Sequence, residues 1–305
     1  MFASVNRIAF KRGHSEKVSY ERYFPMKKRI LIGTVIASLT AAIALTTSSQ
    51  VASAAATCTS RALSTLTKGT LTIGTDDPAY SPWFDSNTPS NGKGFESAVA
   101  YAVAKQLGYP KAKVKWVKAS FNSVIQPGKK SFDFDINEVS ITPERAKAVD
   151  FSTGYYDVAQ AVVTIKTSKI AKAKSIKDLT KAKLGAAVGT TSYTTITDLI
   201  KPSVKASVYD TNDVATQALI NGQIDGLVLD LPTAFYVANA ALKNGLIVGQ
   251  FAPKTGSEQF GLVLSKGSSI TGCVSKAVDT LRTKGTLTAI TKAWLSSSAG
   301  APVLK

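Results

Sequence analysis

Short runs that read as strands alternate with runs that read as helices along most of this chain, and that alternation limits the fold more than any other feature. Residues 69–75 alternate like a strand and end on Gly74-Thr75. Phe95, Val99, Val103 and Leu107 recur every fourth residue, which predicts a helix closed by Gly108. Residues 113–117 and 132–139 read as strands, with a short helical piece over 121–125. Thr142-Pro143 predicts a helix start, Thr as N-cap and Pro in the first turn. The apolar run 158–165 fits a strand buried on both faces, and 166–183 is a lysine-rich connection with one short helix. The pattern then returns. Strands are expected over 184–188, 206–209, 226–230 and 260–264, and helices after Thr191 and over 212–220, 232–241, 270–281 and 286–294. Such alternation means α/β. Two blocks open on a strand followed by Gly-Thr, near Thr75 and Thr190, which points to two similar lobes.

The N-terminus reads as an address. Met26-Lys27-Lys28-Arg29 leads into an apolar run from Ile30 that fades near Thr46, followed by Ala52-Ser53-Ala54. A basic start, an apolar middle and an A-x-A site describe a secretory signal peptide over 26–54, cleaved near Ala54. An uncleaved anchor is the competing reading, because the run reaches the low edge of a membrane span. Residues 1–25 carry no pattern and are expected to be an upstream extension, with Met26 the true start; a long n-region is the alternative.

Cleavage changes what the charge means. The whole chain has 37 Lys+Arg against 20 Asp+Glu, a formal charge of +17. Eight of those bases and two of those acids lie in 1–54, leaving 29 and 18 in the mature part. Only three of the 29 are arginines, Arg61, Arg145 and Arg282. Spread lysine serves solubility, and the clustered Arg with stacking aromatics that nucleic-acid binding wants is missing, so no nucleic-acid partner is expected. The single histidine, His14, lies in the removed part, which excludes Ser-His-Asp and Cys-His catalysis and histidine metal sites from the mature chain. No cofactor or metal is expected. Export permits a Cys58–Cys273 disulfide; lipidation of Cys58 is the alternative, although Ala55-Ala56-Thr57 lacks the residues such a site usually shows.

Polar residues fall at the C-terminal ends of the expected strands: Asp76/Asp77, Ser140, Thr191 and Asp230. Open α/β sheets place ligands there. Arg145 stands in the first turn after a strand end, where a guanidinium does not help the helix but can grip a carboxylate with two hydrogen bonds. A surface arginine paired with Glu144 or Asp150 is the equal alternative. Asp230 suits an ammonium group, or else N-caps the next helix. Gly189-Thr190-Thr191 offers backbone N–H groups and hydroxyls to an anion, or is an ordinary capped turn. Tyr80, Trp83, Phe84 and Phe121 could wall an apolar pocket or be core.

These residues resemble the bacterial extracellular solute-binding proteins for polar amino acids (family 3), which serve ABC importers. Leu71-Thr72-Ile73-Gly74-Thr75 with Asp77-Pro78-Ala79-Tyr80-Ser81-Pro82 carries the resemblance, as does Gly94-Phe95-Glu96 opening a helix. The most specific piece is Val139-Ser140-Ile141-Thr142-Pro143-Glu144-Arg145 followed by Val149-Asp150-Phe151-Ser152. Val188-Gly189-Thr190-Thr191 and Ile224-Asp225-Gly226 leading to Asp230 complete it. The resemblance implies a two-lobe, periplasmic-binding-protein-like (type II) fold with crossings near 158–166 and 256–262. Lobe 1 would be 55–160 and 261–305, and lobe 2 would be 161–260. Arg145 would bind an α-carboxylate, aided by Ser140 and Thr191, and Asp230 the α-ammonium; Thr190 would belong to the ligand-binding set as well. Asp77, Tyr80, Phe121, Asn137 and Glu138 match ligand-facing positions. Asp76 is an extra acid beside the family's usual one, and Glu138 departs from the small residue many members have.

Spare carboxylates in the cleft favour a cationic side chain such as lysine, arginine or ornithine, with glutamine or another neutral polar amino acid as the alternative. The expected protein is a monomeric, non-enzymatic, extracytoplasmic receptor that hands an amino acid to an ABC-transporter permease. The rival from another class is an enzyme on the same fold, a dehydratase or peptidoglycan-cleaving enzyme with Glu138 as acid/base.

Overall fold

The structure, a computed structural model, describes residues 57–252, 258–298 and 300–305. The upstream extension, the signal peptide and the cleavage site near Ala54 lie outside the described residues.

Elements are numbered in chain order. The first sheet begins with β1 (Leu71–Thr75), all of it buried. Helix α1 (Phe95–Gln106) follows a turn-rich loop, and β2 (Val114–Lys118) pairs parallel to β1. The four periodic positions of α1 and its end, Phe95, Val99, Val103 and Leu107, are at most 1% exposed. Each such side chain taken out of water stabilises the fold by about 1.5–3 kcal/mol. Gly94 precedes α1 at φ +93°, where a Cβ would lie 2.4 Å from the Trp83 carbonyl oxygen. Only glycine fits a left-handed residue pressed against backbone in this way.

Helix α2 (Phe121–Val124), strand β3 (Phe134–Asp135), helix α3 (Arg145–Ala148) and strand β4 (Val149–Phe151) complete the first half of this lobe. The turn begins where Thr142-Pro143 predicts it: Thr142 Oγ1 accepts from the Arg145 N–H at 3.2 Å. The helix itself starts three residues later.

The apolar run 158–165 is not one strand. It divides at Ala159 into β5 (Tyr156–Val158) and β6 (Gln160–Ile165), which belong to different sheets. Strand β7 (Leu184–Ala187), helix α4 (Thr191–Thr194), strand β8 (Ser207–Tyr209), helix α5 (Asn212–Ile220), strand β9 (Gly226–Asp230), helix α6 (Leu231–Tyr236) and strand β10 (Gly245–Phe251) follow. The expected strand 260–264 is two: β11 (Glu258–Phe260) and β12 (Val263–Ser265). Helices α7 (Thr271–Thr283) and α8 (Thr286–Leu295) and strand β13 (Val303–Leu304) end the chain.

The first sheet has the order β2-β1-β3-β12-β4, the second β13-β10-β6-β9-β7-β8. Strands β5 and β11 form an antiparallel pair of their own, Val158 opposite Glu258 and Tyr156 opposite Phe260. This ribbon lies on the two crossings; residues 256 and 257 of the second lie outside the described residues. Trp83 packs edge-on against Phe95, Tyr156 and Phe260, with ring centroids 5.6–5.8 Å apart, so the ribbon is seated on the first core.

Strand β13 pairs parallel to β10 at the edge of the second sheet. A Cβ at Gly249 would lie 2.6 Å from the Pro302 carbonyl oxygen, so the missing side chain admits the C-terminal segment. Cys58 and Cys273 form the expected disulfide, Cα to Cα 5.3 Å, joining the start of the described chain to α7.

Candidate functional site

The C-terminal ends of β1, β3, β7 and β9 converge on one cavity of about 850 Å³, counted with its open mouth. The ten residues expected to bind the ligand all border it, Asp77, Tyr80, Phe121, Asn137, Glu138, Ser140, Arg145, Thr190, Thr191 and Asp230, whereas Trp83 is buried in the first core. Among the described residues, five carboxylates border it, Asp76, Asp77, Glu138, Asp210 and Asp230, against one cation, Arg145.

Arg145, the first residue of α3, is 9% exposed. Its Nη1 donates to the Ser140 carbonyl at 2.6 Å and its Nη2 to the Gly189 carbonyl at 2.9 Å. Its Cζ sits 5.3 Å from the Phe121 ring centroid, a cation–π contact. Burial pushes its pKa down, and the charges of Asp230 and Glu258 oppose that. Arg145 is buried and makes no ion pair with Glu144 or Asp150 among the described residues, and Asp150 pairs with Lys266 at 3.2 Å. A guanidinium has five N–H groups, so two donors given to carbonyls leave three for a ligand.

Asp230 closes β9 and precedes α6 without capping it through its side chain. Gln160 Nε2 donates to its Oδ1 at 2.6 Å. Burial and then Glu258 push its carboxyl well above the usual range, against the pull of the Gln160 bond and Arg145.

Glu138 holds a left-handed backbone at φ +53°, uncommon outside glycine and asparagine. Its N–H donates to Glu96 Oε1 at 2.7 Å. Its Oε2 accepts from the Thr233 hydroxyl at 3.1 Å, and that hydroxyl accepts from Trp83 Nε1 at 2.8 Å. Burial, Glu96 and Asp230 raise its carboxyl well above the usual range. Glu96 is wholly buried and pushed up to about 7 by burial, against a bond donated by the Tyr155 hydroxyl and the one from Glu138.

The two neighbouring aspartates divide. Asp77 turns outward, accepting from Asn87 Nδ2 at 3.1 Å and pairing with Lys118. Asp76 takes the Phe121 N–H at 3.3 Å and raises the Glu138 carboxyl by repulsion. Thr190 N-caps α4, accepting from the Tyr193 N–H at 3.3 Å, so its hydroxyl serves the turn. Asn137 is buried, and its Nδ2 finds no hydrogen-bond partner among the described residues. Leaving such a donor unpaired costs about 1–3 kcal/mol, which a ligand acceptor would recover.

Sequence reasoning missed Gln160, Glu258 and Thr233, and quoted Glu96 without assigning it a place. Gln160 had a signal, being the polar residue at the head of the apolar strand β6. Glu258 had none: strand pairing, not the local pattern, brings it to the Ser140 and Thr191 hydroxyls.

The family model described as bacterial extracellular solute-binding proteins, family 3, matches residues 71–297. The chain belongs to that family. Among curated relatives of this family 3 protein, the L-cystine-binding protein TcyJ of Escherichia coli (strain K12) is 28% identical over 75% of this chain and 84% of its own. The ABC transporter arginine-binding protein 1 of the same strain is 30% identical over 70% and 86%. Among solved structures, the ancestral amino acid-binding protein AncCDT-1, a precursor of cyclohexadienyl dehydratase, aligns with a TM-score of 0.61. It is 30% identical and covers 74% of this chain and 94% of its own.

Proposed function

We propose that this protein captures an amino acid with a cationic side chain between its lobes, outside the cytoplasm, and delivers it to the permease of an ABC importer. The observation that carries the reading is one guanidinium, Arg145, facing the same cavity as Asp230 and four further carboxylates. Burying both charges of a zwitterion is costly unless each is paired, and Arg145 and Asp230 supply the two partners. Asn137 adds a donor, Phe121 and Tyr80 wall the side chain, and Asp76 and Glu138 favour a positive tip. In this reading one lobe spans 55–160 and 261–298, and the other 161–260 with β13. The mature protein acts as a monomer, after cleavage near Ala54.

The curated relatives reported above are named as binding proteins. Glu138 as acid/base remains the one feature that favours an enzyme, by its raised carboxyl. The two readings separate in one experiment. Thermal shift and calorimetry over the twenty amino acids and ornithine are expected to show stabilisation by lysine, arginine or ornithine, with no product formed. Arg145→Ala is expected to weaken that binding about a hundredfold or more while the far-ultraviolet spectrum stays unchanged. No stabilisation by any amino acid overturns the reading, and turnover lost in Glu138→Gln establishes the enzyme instead.

A further inference from the structure

Two hydroxyls that line the cavity, Ser140 and Thr191, already hold a carboxylate belonging to the protein. Glu258 Oε1 accepts from the Ser140 hydroxyl at 2.5 Å and from the Thr191 hydroxyl at 2.6 Å. Gln160 Nε2 approaches its two oxygens at 3.2 and 3.3 Å. Ser140 follows β3 of the first sheet, Thr191 opens α4 beside the second, and Glu258 stands between them on the crossing ribbon, opposite Val158. Two hydroxyls, an amide N–H and a guanidinium in the same field make a receptor for a carboxylate.

A hydroxyl has one proton to donate. While Ser140 and Thr191 give theirs to Glu258, neither can donate to the carboxylate of a ligand. What remains for that group is the spare N–H set of Arg145, whose other donors hold Ser140 and Gly189. A second carboxylate would also enter beside Glu258 and Asp230, both negative when ionised, and like charges that close repel. The amine end meets no such competition, because among the described residues the carboxylates bordering the cavity outnumber the one cation, Arg145.

We propose that Glu258 stands in for the ligand's α-carboxylate, so that the cleft accepts amines lacking that group as well as amino acids, and that Glu258 sets the discrimination between them. The proposal rests on the reading of the cleft as a cationic amino-acid site. It assigns the second crossing a part in specificity.

Calorimetry with matched pairs tests it: arginine against agmatine, and lysine against cadaverine, each differing only by the α-carboxylate. In the wild type the amine is expected to bind within about tenfold of its parent amino acid. In Glu258→Ala, and in Glu258→Gln, which keeps the shape without the charge, the parent is expected to gain about tenfold, while the amine gains nothing or weakens. The ratio of the two affinities is the readout, so a general loss of stability does not imitate the result. A parent amino acid that binds more than about a hundredfold tighter than its amine in the wild type, with that ratio unchanged in both variants, overturns the proposal and leaves the amino-acid reading standing. No binding of any parent or amine, to wild type or variants, overturns both.

Discussion

At the scale of single residues, the site is a set of carboxyls held close enough to disturb one another. Glu96 lies beneath Glu138, Glu138 feels Asp230, and Asp135 is wholly buried with neither oxygen bonded among the described residues. Burial pushes the Asp135 carboxyl well up, and Glu96 and Asp76 add to that. For Glu96 the folded-state value is raised, to about 7 from 4.5, so the folded protein binds more protons than the unfolded chain between those values. Its contribution to stability is therefore present below about pH 4.5 and is lost as pH rises toward 7. One such proton gives a slope of at most about 1.4 kcal/mol per pH unit. Glu96→Gln keeps an oxygen for the Glu138 N–H and the Tyr155 hydroxyl but cannot titrate. Urea melts between pH 4.5 and 7 are expected to show a shallower fall for the variant than for the wild type. Superimposable profiles would show that Glu96 is not the titrating group.

At the scale of elements, α1 depends on its entry. Gly94 has a left-handed backbone, and a Cβ would meet the Trp83 oxygen at 2.4 Å and the Phe84 Cα at 2.5 Å. Both are backbone atoms, so neither can swing aside. Gly94→Ala is expected to cost about 1–3 kcal/mol or more. Gly69→Ala, also left-handed at φ +77° but with nothing within 4 Å, is expected to cost less. Equal urea midpoints for the two variants would refute the steric account. The same helix shows what local pattern can reveal: its apolar face, its start and its stop are set by residues within one or two turns. Strand β10 shows what it cannot. Gly245 and Gly249 break its alternation, and a register shift between Ile247 and Gly249 interrupts its pairing with β6. It is a strand because residues 161–165, some eighty positions earlier, offer it an edge. Arg145, Asp230 and Thr191 were legible because strand ends expose polar groups wherever the sheet lies. Glu258 was not, since its place follows from the pairing of β5 with β11, a contact between segments about a hundred residues apart.

At the scale of the whole molecule, direct polar contacts join the two lobes around the cavity. The Trp83 indole donates to Thr233, Arg145 donates to Gly189, and the Tyr80 hydroxyl donates to Asp213 Oδ2 at 2.5 Å. Tyr80 stands on the loop after β1 and lines the cavity, and Asp213 lies in the first turn of α5 next to the lining residue Asn212, so this bond joins the two lobes at the cavity's edge. Burial, and then Asp213, push the Tyr80 hydroxyl above its ordinary value, which keeps its proton available for that bond. A contact present only when the lobes are together shifts the equilibrium toward closure, by an amount equal to its own free energy and no more. It therefore acts on the escape of a captured ligand, whereas capture proceeds from the open arrangement. Tyr80→Phe keeps the aromatic wall and removes the bond. Stopped-flow chase of the tightest-binding amino acid is expected to show dissociation about three- to tenfold faster, with the association rate changed much less. Dissociation at the wild-type rate would mean that the lobes are not held by this bond. A slower association with unchanged dissociation would mean that Tyr80 acts on entry, through its ring and the carboxylates beside it, instead of on release.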